Sequence, residues 1–234
     1  MGKKEFNYTG IQVLEAVSYA RNYNQSLLDI IKKETTKIKK PFIVDFGAGE
    51  AMYASMLRDQ LNIDPVCIEL DKKLREMAKK DGFKTAASIQ EISKKADIVY
   101  SLNVFEHIEN DEAIAKEIYD NIKSGGTLIV YVPAFQILYS SMDKLVEHYR
   151  RYRLKRLRNI LESVGFDIIK IEYADPLGFF AAALFKIFGN KNGYISPFGV
   201  KVFDRFIYPV SKLIQPLTAK LFGKNVYAVA IKRG

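Results

Sequence analysis

The residues best suited to chemistry lie just after the first short apolar run, where the sequence reads Asp45-Phe46-Gly47-Ala48-Gly49. Two glycines in a turn between a strand and a helix let backbone N–H groups approach a ligand that side chains would otherwise keep away. This pattern favours a nucleotide-like ligand over a turn that only connects two elements. It does not favour NAD or FAD, because Met52 stands where a dinucleotide fingerprint needs its third small residue.

Glu69 is a second candidate, about twenty residues after the glycines and at the end of the next apolar run. A carboxylate at this point can accept two hydrogen bonds from the 2′- and 3′-hydroxyls of a ribose. Acids at strand ends also cap helices, but Asp71 is better placed for that task. We therefore expect Glu69 to bind ribose.

Short apolar runs alternate along the chain with segments of helical spacing, and these elements must position the candidate residues. The predicted strands are 42–46, 65–69, 83–86, 97–101, 127–132, 166–173 and 226–232. Apolar residues including Leu14 and Leu28 predict one or two amphipathic helices over 12–33. The alternation predicts an α/β fold with a mostly parallel sheet, whose ligands bind at the carboxyl ends of the strands.

The segment 175–225 departs from this alternation. It holds a Phe- and Ala-rich stretch over 177–188, a turn at 189–193 and an amphipathic stretch over 200–221. We expect a helical cap over the sheet edge. The predicted organisation is a single domain over 1–234, with an N-terminal helical segment at 12–40, a ligand-binding core at 41–173 and a last strand at 226–232.

Composition narrows the class of protein. The chain has 234 residues, of which 48% are hydrophobic, enough to build a core and to exclude disordered or fibrous classes. Cys67 is the single cysteine, which fits a reducing compartment. No apolar stretch follows Met1–Asn7, and the longest apolar run is too short to span a bilayer, so we expect a cytoplasmic protein. The net charge of +9 favours an anionic partner: nucleic acid, phospholipid headgroups or a phosphorylated substrate.

Three ordered motifs resemble those of class I S-adenosylmethionine-dependent methyltransferases. They are Val44-Asp45-Phe46-Gly47-Ala48-Gly49, Ile68-Glu69-Leu70-Asp71, and the stretch from Asp97 to Ile108 that contains Asn103-Val104-Phe105-Glu106-His107. Within that superfamily the chain is similar to the bacterial type 11, 12 and 23 group, through Ala20–Asn24 and through Val132-Pro133-Ala134-Phe135 with His148-Tyr149-Arg150-Arg151-Tyr152. The resemblance implies a Rossmann-like, doubly wound seven-stranded sheet with an antiparallel last strand. It also implies S-adenosylmethionine as cofactor and S-adenosylhomocysteine as product.

The resemblance also implies roles for particular residues. Asp45 and the backbone of Gly47-Ala48-Gly49 would hold the methionine end of the cofactor, Glu69 the ribose, and Leu70 would pack on adenine. The family often carries a third glycine where this chain has Ala51. A methyl group there is usually tolerated.

The other implied cofactor contacts come from four places in the chain. Ser88 or Ile89 would border the adenine edge, Asn103 and Val104 would lie beside the transferred methyl group, and Tyr23 would close over the cofactor. His107 either contacts the cofactor or packs structurally, and Glu106 is assigned to structure.

Methyl transfer from a sulfonium is an in-line displacement, for which the enzyme supplies positioning and, for an O–H or N–H nucleophile, a base. The candidates are Tyr139, Asp143 and His148, in the loop after Pro133. His148 is predicted to be the general base, held neutral by the neighbouring arginines; packing of the loop is the alternative. The sequence assigns no metal ligand.

The acceptor is predicted to be a small or lipid-linked molecule, methylated on O, N or C. Basic residues around the segment 175–225 suggest peripheral contact with the inner face of an anionic membrane. Two alternatives are that this apolar segment forms a homodimer interface or that it simply packs on the sheet. Nucleic acid is disfavoured, because no Pro-Pro-Tyr type signature is present and a solvated helix face explains part of the basic stretch 150–158. The alternatives are a nucleotide-dependent oxidoreductase and a non-catalytic binding module with a vestigial pocket.

Overall fold

A computed structural model describes residues 10–233, except for the side chains of Ile11, Gln12 and Leu14. The expectations for Met1–Asn7 and for the Leu14 side chain therefore lie outside the described residues. The seven strands are β1 (Ile43–Phe46), β2 (Val66–Ile68), β3 (Thr85–Ala86), β4 (Ala96–Leu102), β5 (Ile122–Pro133), β6 (Phe166–Ala174) and β7 (Asn225–Lys232). They form one sheet of order β3-β2-β1-β4-β5-β7-β6.

Strand direction confirms the predicted fold class. The pairs β1–β2, β1–β4, β2–β3 and β4–β5 are parallel, whereas β7 runs antiparallel to both β5 and β6. The helices are α1 (Ile11–Ser18), α2 (Arg21–Thr35), α3 (Met52–Leu61), α4 (Lys72–Lys80), α5 (Asp111–Asn121), α6 (Ser141–Leu145), α7 (Leu154–Ser163), α8 (Pro176–Phe188), α9 (Pro197–Val202) and α10 (Tyr208–Thr218). The sheet is mixed and Rossmann-like.

Alternation of side chains along the central strands explains why their sequences are mostly apolar. Val44 of β1 and Val99 of β4 belong to one hydrophobic core, whereas Ile43 and Ile98 belong to the core on the other face. Because side chains on successive strand residues point to opposite faces, a strand covered on both faces is apolar at every position.

Most element boundaries agree with the prediction, and the start of β5 is an exception. The sequence predicts that 124–126 ends a helix and that the strand begins at Thr127, but β5 begins at Ile122, directly after α5. Ile122 is fully buried and pairs with Ala96 ahead of an irregularity in the β4–β5 register. Burial of this side chain therefore extends the strand through two glycines that by themselves favour a turn.

The segment 175–225 folds into α8, α9, a π-helical stretch (Phe203–Ile207) and α10. α10 contacts both α8 and the edge strand β6. Asp175 fixes this arrangement, because its Oδ1 accepts hydrogen bonds from the Gly178 N–H at 2.9 Å and the Ser211 hydroxyl at 2.7 Å. Asp204 reaches further and accepts from the N–H groups of Asn22 and Tyr23, both at 2.9 Å, so it caps the start of α2.

Much of the outer surface of this segment is apolar. Its most exposed large side chains are Leu217 at 82%, Phe188 and Leu213 at 79%, and Phe198 at 74%. Within residues 10–233, no helix has both the length and the hydrophobicity to span a bilayer.

Candidate active site

The candidate residues meet at one edge of the sheet, where the chain leaves several strands through left-handed backbone conformations. Gly47 follows β1 with φ of 81°, and Asn103 follows β4 with φ of 55°. Phe135, after β5, and Asp175, after β6, have φ of 60° and 58°. Three of these four residues are not glycine, and a left-handed conformation costs such residues about 1–2 kcal/mol each. The turns that frame the site are therefore strained.

Gly47 is required by a close approach as well as by its backbone angle. A Cβ at this position would overlap the side chain of Val104. The motif after β1 therefore packs directly against the motif after β4. Ala51, which stands where relatives often carry glycine, is fully buried and left-handed with φ of 57°. This conformation explains the usual preference for glycine.

Glu69 connects the glycine turn to the next helix. Its Oε2 accepts a hydrogen bond from the Gly49 N–H and its Oε1 accepts one from the Asp71 N–H, both at 2.8 Å. Asp71 caps α4 through the Lys73 and Leu74 N–H groups, as the sequence predicts. Burial raises the pKa of Glu69 despite these backbone hydrogen bonds. A carboxylate has about four acceptor positions, so Glu69 can still accept from an outside donor in addition to the backbone N–H groups of Gly49, Leu70 and Asp71.

Asp45 is buried near the end of β1, and its Oδ2 has no hydrogen-bond partner among residues 10–233. Burial raises the pKa of Asp45 to about 7; a hydrogen bond with Tyr100 acts in the opposite sense, and the nearby Glu69 carboxylate acts in the same direction as burial. A buried carboxylate oxygen without a donor is costly unless a ligand supplies one. This oxygen is therefore suited to a cationic group such as an ammonium.

The residues predicted around adenine differ in exposure. Leu70, directly after Glu69, is 61% exposed and offers a bare apolar surface. The Ile89 side chain packs in the core, whereas Ser88 is half-buried and its hydroxyl accepts from the Gln90 N–H. Of the two alternatives for the adenine edge, only Ser88 thus has a side chain that lies outside the hydrophobic core.

Tyr23 and Asn103 come together from distant parts of the chain. Burial raises the pKa of Tyr23, while hydrogen bonds with Tyr131 and Asn103 act in the opposite sense. The Tyr23 ring also makes edge contacts with Tyr131 and Tyr208 at centroid distances of 6.1 and 5.6 Å. Tyr23 therefore lies beside Asn103, the residue that follows β4. This is the position required of a group that closes over a ligand at the carboxyl end of that strand.

A second cluster follows β4 and contains both histidines of the chain, His107 and His148. Their ring centroids are 4.5 Å apart. His148 Nδ1 lies 2.8 Å from Asp143 Oδ1, and Arg151 holds the same carboxylate through Nε at 2.8 Å and Nη2 at 2.9 Å. Burial favours the neutral acid, but these partners hold the pKa of Asp143 well below its usual range.

The charges around His148 differ from the prediction. The sequence places it among arginines, but the groups that face it are the carboxylates of Asp143 and Glu106. Arg151 is bound to Asp143 and Arg150 to Asp111. The sequence therefore predicted the wrong charged neighbours for His148, because Arg150 and Arg151 are paired with the buried acids Asp111 and Asp143.

The other two residues predicted near His148 are engaged in fixing the loop. The Tyr139 hydroxyl donates to the His148 carbonyl oxygen at 2.6 Å. Asp143 also accepts from the Ser140 N–H at 2.8 Å and so caps α6.

Burial lowers the pKa of His107 to about 3, with His148 acting in the same direction. Burial likewise raises the pKa of Glu106 to about 8.

The basic stretch 150–158 is largely neutralised within the chain. Arg150 and Arg156 pair with Asp111, Arg151 with Asp143, and Arg158 with Glu162. A cleft of about 530 Å³ is lined in part by Arg153, Lys155 and Arg156. Most of the stretch thus serves the fold.

Comparisons with known proteins agree with this geometry. A family model described as a methyltransferase domain matches residues 19–171. The chain belongs to this methyltransferase family. No curated protein matches the sequence. The fold is that of class I S-adenosylmethionine-dependent methyltransferases, as the motifs predict.

Solved structures of this fold are similar at low identity. A SAM-dependent methyltransferase from Archaeoglobus fulgidus matches with a TM-score of 0.58 and 18% identity, over 89% of this chain and 94% of that one. One from Thermotoga maritima gives 0.60 and 16%, over 92% and 91%. Phosphoethanolamine N-methyltransferase 2 from Haemonchus contortus, in complex with S-adenosyl-L-methionine, gives 0.60 and 17%, over 91% and 53%.

The methyltransferase site fits the cofactor that its family implies. The unpartnered Asp45 Oδ2 matches the ammonium of the methionine end, and the partly exposed backbone of Gly47-Ala48-Gly49 matches close backbone contact. Sequence reasoning missed Arg151 and Asp204 as positioning residues. Arg151 lies in the motif His148-Tyr149-Arg150-Arg151-Tyr152 but was assigned only to a charged surface, whereas no sequence pattern near Asp204 marks it as a helix cap.

Proposed function

We propose that the chain transfers a methyl group from S-adenosylmethionine to a small or lipid-linked acceptor. The observation that carries the proposal is the buried Asp45 carboxylate, unpartnered at Oδ2, beside a glycine turn that Glu69 holds through the Gly49 N–H. A nucleoside with a charged amino acid tail satisfies both carboxylates at once.

The residues divide by the part of the cofactor they would hold. Asp45 and the Gly47–Gly49 backbone bind the methionine end, and Glu69 and Leu70 bind ribose and adenine with Ser88 at the adenine edge. Asn103, Val104 and Tyr23 line the end where the methyl group is transferred. The bound cofactor supplies an electrophilic methyl group on a sulfonium; the chain supplies position and exclusion of water.

His148 is the proposed proton acceptor for an O–H or N–H nucleophile. Because Asp143 is a carboxylate bound by Arg151, it accepts a hydrogen bond from the Nδ1–H of His148, which leaves the Nε2 lone pair available. Asp143 and Tyr139 are positioning residues in this scheme. Asp143 fixes the ring, and Tyr139 fixes the backbone of the same residue.

We further propose that the segment 175–225 caps a single methyltransferase domain and rests on an anionic membrane at the inner, cytoplasmic face. Exposed Phe188, Phe198 and Leu217 provide the apolar surface. Exposed basic residues on the same segment, Lys191 and Arg205 among them, complement anionic headgroups. A membrane-embedded acceptor would then reach the site without leaving the lipid surface.

Calorimetric titration with S-adenosylhomocysteine tests the cofactor assignment. We expect binding that Glu69→Ala weakens by about 10- to 150-fold, the loss of charge-assisted hydrogen bonds worth about 1.5–3 kcal/mol. Glu76→Ala, an exposed acid on α4, is the matched control and should bind like the native chain. Absence of binding, or binding of NADH in its place, would reject the proposal.

A further inference from the structure

Glu106 is a fully buried glutamate whose carboxyl group is poorly compensated. Its side chain has no solvent exposure, and no other residue within 10–233 donates a hydrogen bond to Oε1 or Oε2. Its own backbone N–H and the charge of Arg151 lower its pKa, but burial outweighs them and raises it. The closest cationic candidate, His148 Nε2, lies 3.8 Å from Oε1, which is too long for a hydrogen bond. A buried carboxylate left in this state is costly unless something else compensates it.

Three side chains converge on the space beside this carboxylate. Ligand atoms of Glu106, His107 and His148 all lie within 4.8 Å of one another. A tetrahedral ion with bonds of about 2 Å holds its ligands about 3.3 Å apart. Glu106 Oε1 and His148 Nε2, which are 3.8 Å apart, therefore need to close by about 0.5 Å, and no pair of ligand atoms needs to close by more than about 1.5 Å. Side-chain rotations supply movements of that size.

The outer partners of both histidines are those expected of metal ligands. His148 Nδ1 is hydrogen-bonded to the Asp143 carboxylate, which Arg151 holds from the other side. His107 is hydrogen-bonded to the Val146 backbone. Metal-bound histidines almost always donate their second ring N–H to a carboxylate or a backbone carbonyl, which fixes the ring.

We propose that Glu106, His107 and His148 bind one divalent first-row transition-metal ion. Two imidazoles and one carboxylate suit Zn²⁺, Co²⁺ or Fe²⁺ better than Mg²⁺ or Ca²⁺, which prefer oxygen ligands. The three ligands leave at least one coordination position for water or another oxygen. The sequence alone assigns no metal ligand, and this proposal replaces that expectation.

The ion would also change the role of His148. Its Nε2 lone pair cannot both bind an ion and accept a proton, so in the ion-loaded protein the ion would instead lower the pKa of a bound acceptor hydroxyl, whose proton would pass to solvent. That last step rests on the proposed function. Ion binding itself does not, and it is measured without cofactor or acceptor.

A Co²⁺ titration tests the site. The protein is prepared without a histidine tag and treated with a chelator, so that the only histidines present are the two in the cluster. We expect one Co²⁺ per chain with a visible absorption band that Zn²⁺ abolishes. Glu106→Gln and His148→Gln should each bind Co²⁺ at least about 100-fold more weakly. Glu109→Gln, an exposed glutamate three positions further on, is the matched control and should bind normally.

Circular dichroism establishes that each variant is folded before it is compared. If a variant does not fold, the native chain alone decides, because an ion that binds only the folded state raises the Tm, and raises it further as its concentration increases above the Kd. Failure of Zn²⁺ to raise the Tm, no stoichiometric Co²⁺ band, or unchanged binding in folded Glu106→Gln and His148→Gln would each overturn the proposal. S-adenosylhomocysteine binding in the same samples reports separately on the proposed function.

Discussion

Val104 occupies the space that a Cβ on Gly47 would fill. The contact joins the turn after β1 to the first residues after β4. The turn after β1 would hold the methionine end of the cofactor, and the residues after β4 would lie beside its methyl group. Packing therefore fixes these two motifs to one another. Adding a single methyl group should disturb both.

Gly47→Ala tests this contact. We expect loss of S-adenosylhomocysteine binding and a fall of about 2–4 kcal/mol in the free energy of unfolding, from backbone strain at φ of 81° plus the overlap. Gly125→Ala is the matched control, because Gly125 has φ of 75° but no neighbour within 4 Å of an added Cβ. It should show the strain alone. Adding Val104→Ala to Gly47→Ala should recover part of the stability, and no recovery would contradict the packing argument.

Asp45 should make stability depend on pH. Its pKa is raised from 3.8 to about 7 by burial, so the native state binds more protons than the unfolded state between these values. The native chain should therefore lose stability relative to Asp45→Asn as pH rises from about 4 to 7, by at most about 4 kcal/mol. Urea unfolding of both proteins at several pH values measures the difference.

Ligand binding should show the opposite trend with pH. Ionised Asp45 attracts an ammonium, so S-adenosylhomocysteine affinity should rise through pH 7 in the native chain and stay flatter in Asp45→Asn. Parallel curves for the two proteins would contradict the assigned role.

Asp143→Asn should destabilise the loop after β5. The substitution leaves Arg151, which is buried, without its carboxylate, and such broken pairs cost about 3–5 kcal/mol. Asp120→Asn removes an exposed pair with Lys116 and should cost less than about 1 kcal/mol. Thermal unfolding of both variants distinguishes the two cases, and equal Tm values would show that the buried pair is not structural.

The exposed apolar surface of 175–225 should bind anionic membranes. We expect salt-sensitive sedimentation with phosphatidylglycerol vesicles and weaker binding to neutral phosphatidylcholine vesicles. Leu217→Glu should reduce binding by about tenfold or more, the effect of losing one buried leucine. Ile169→Glu is the control, since Ile169 is 61% exposed but lies on β6. A concentration-dependent dimer without vesicle binding would assign the surface to a second copy.

Much of the fold follows from local sequence. Central strands such as β1 are apolar except at site residues such as Asp45, because they are covered on both faces, and Asp71 and Asn110 occur where the chain needs helix caps. Glu69 and the glycine turn are similarly readable, because their spacing reflects one strand-turn-helix unit.

The acceptor side was less predictable because its causes are distant in the chain. Asp204 caps α2 from the other end of the molecule, and no pattern near Asn22 announces it. The surroundings of His148 likewise depend on Glu106, which the sequence assigns only to structure. Charges counted along the chain gave the wrong neighbours, since folding paired the arginines with buried acids.

The left-handed residues after β4, β5 and β6 have a consequence for engineering. Replacing Asn103, Phe135 or Asp175 by glycine would relieve about 1 kcal/mol of backbone cost at each, offset by the packing and hydrogen bonding that each side chain provides. At Asp175 the loss includes two hydrogen bonds, so glycine there would cost more than the strain it relieves. A set of variants at these three positions needs to be screened for ligand affinity and melting temperature together, because each substitution changes backbone strain and side-chain contacts at once.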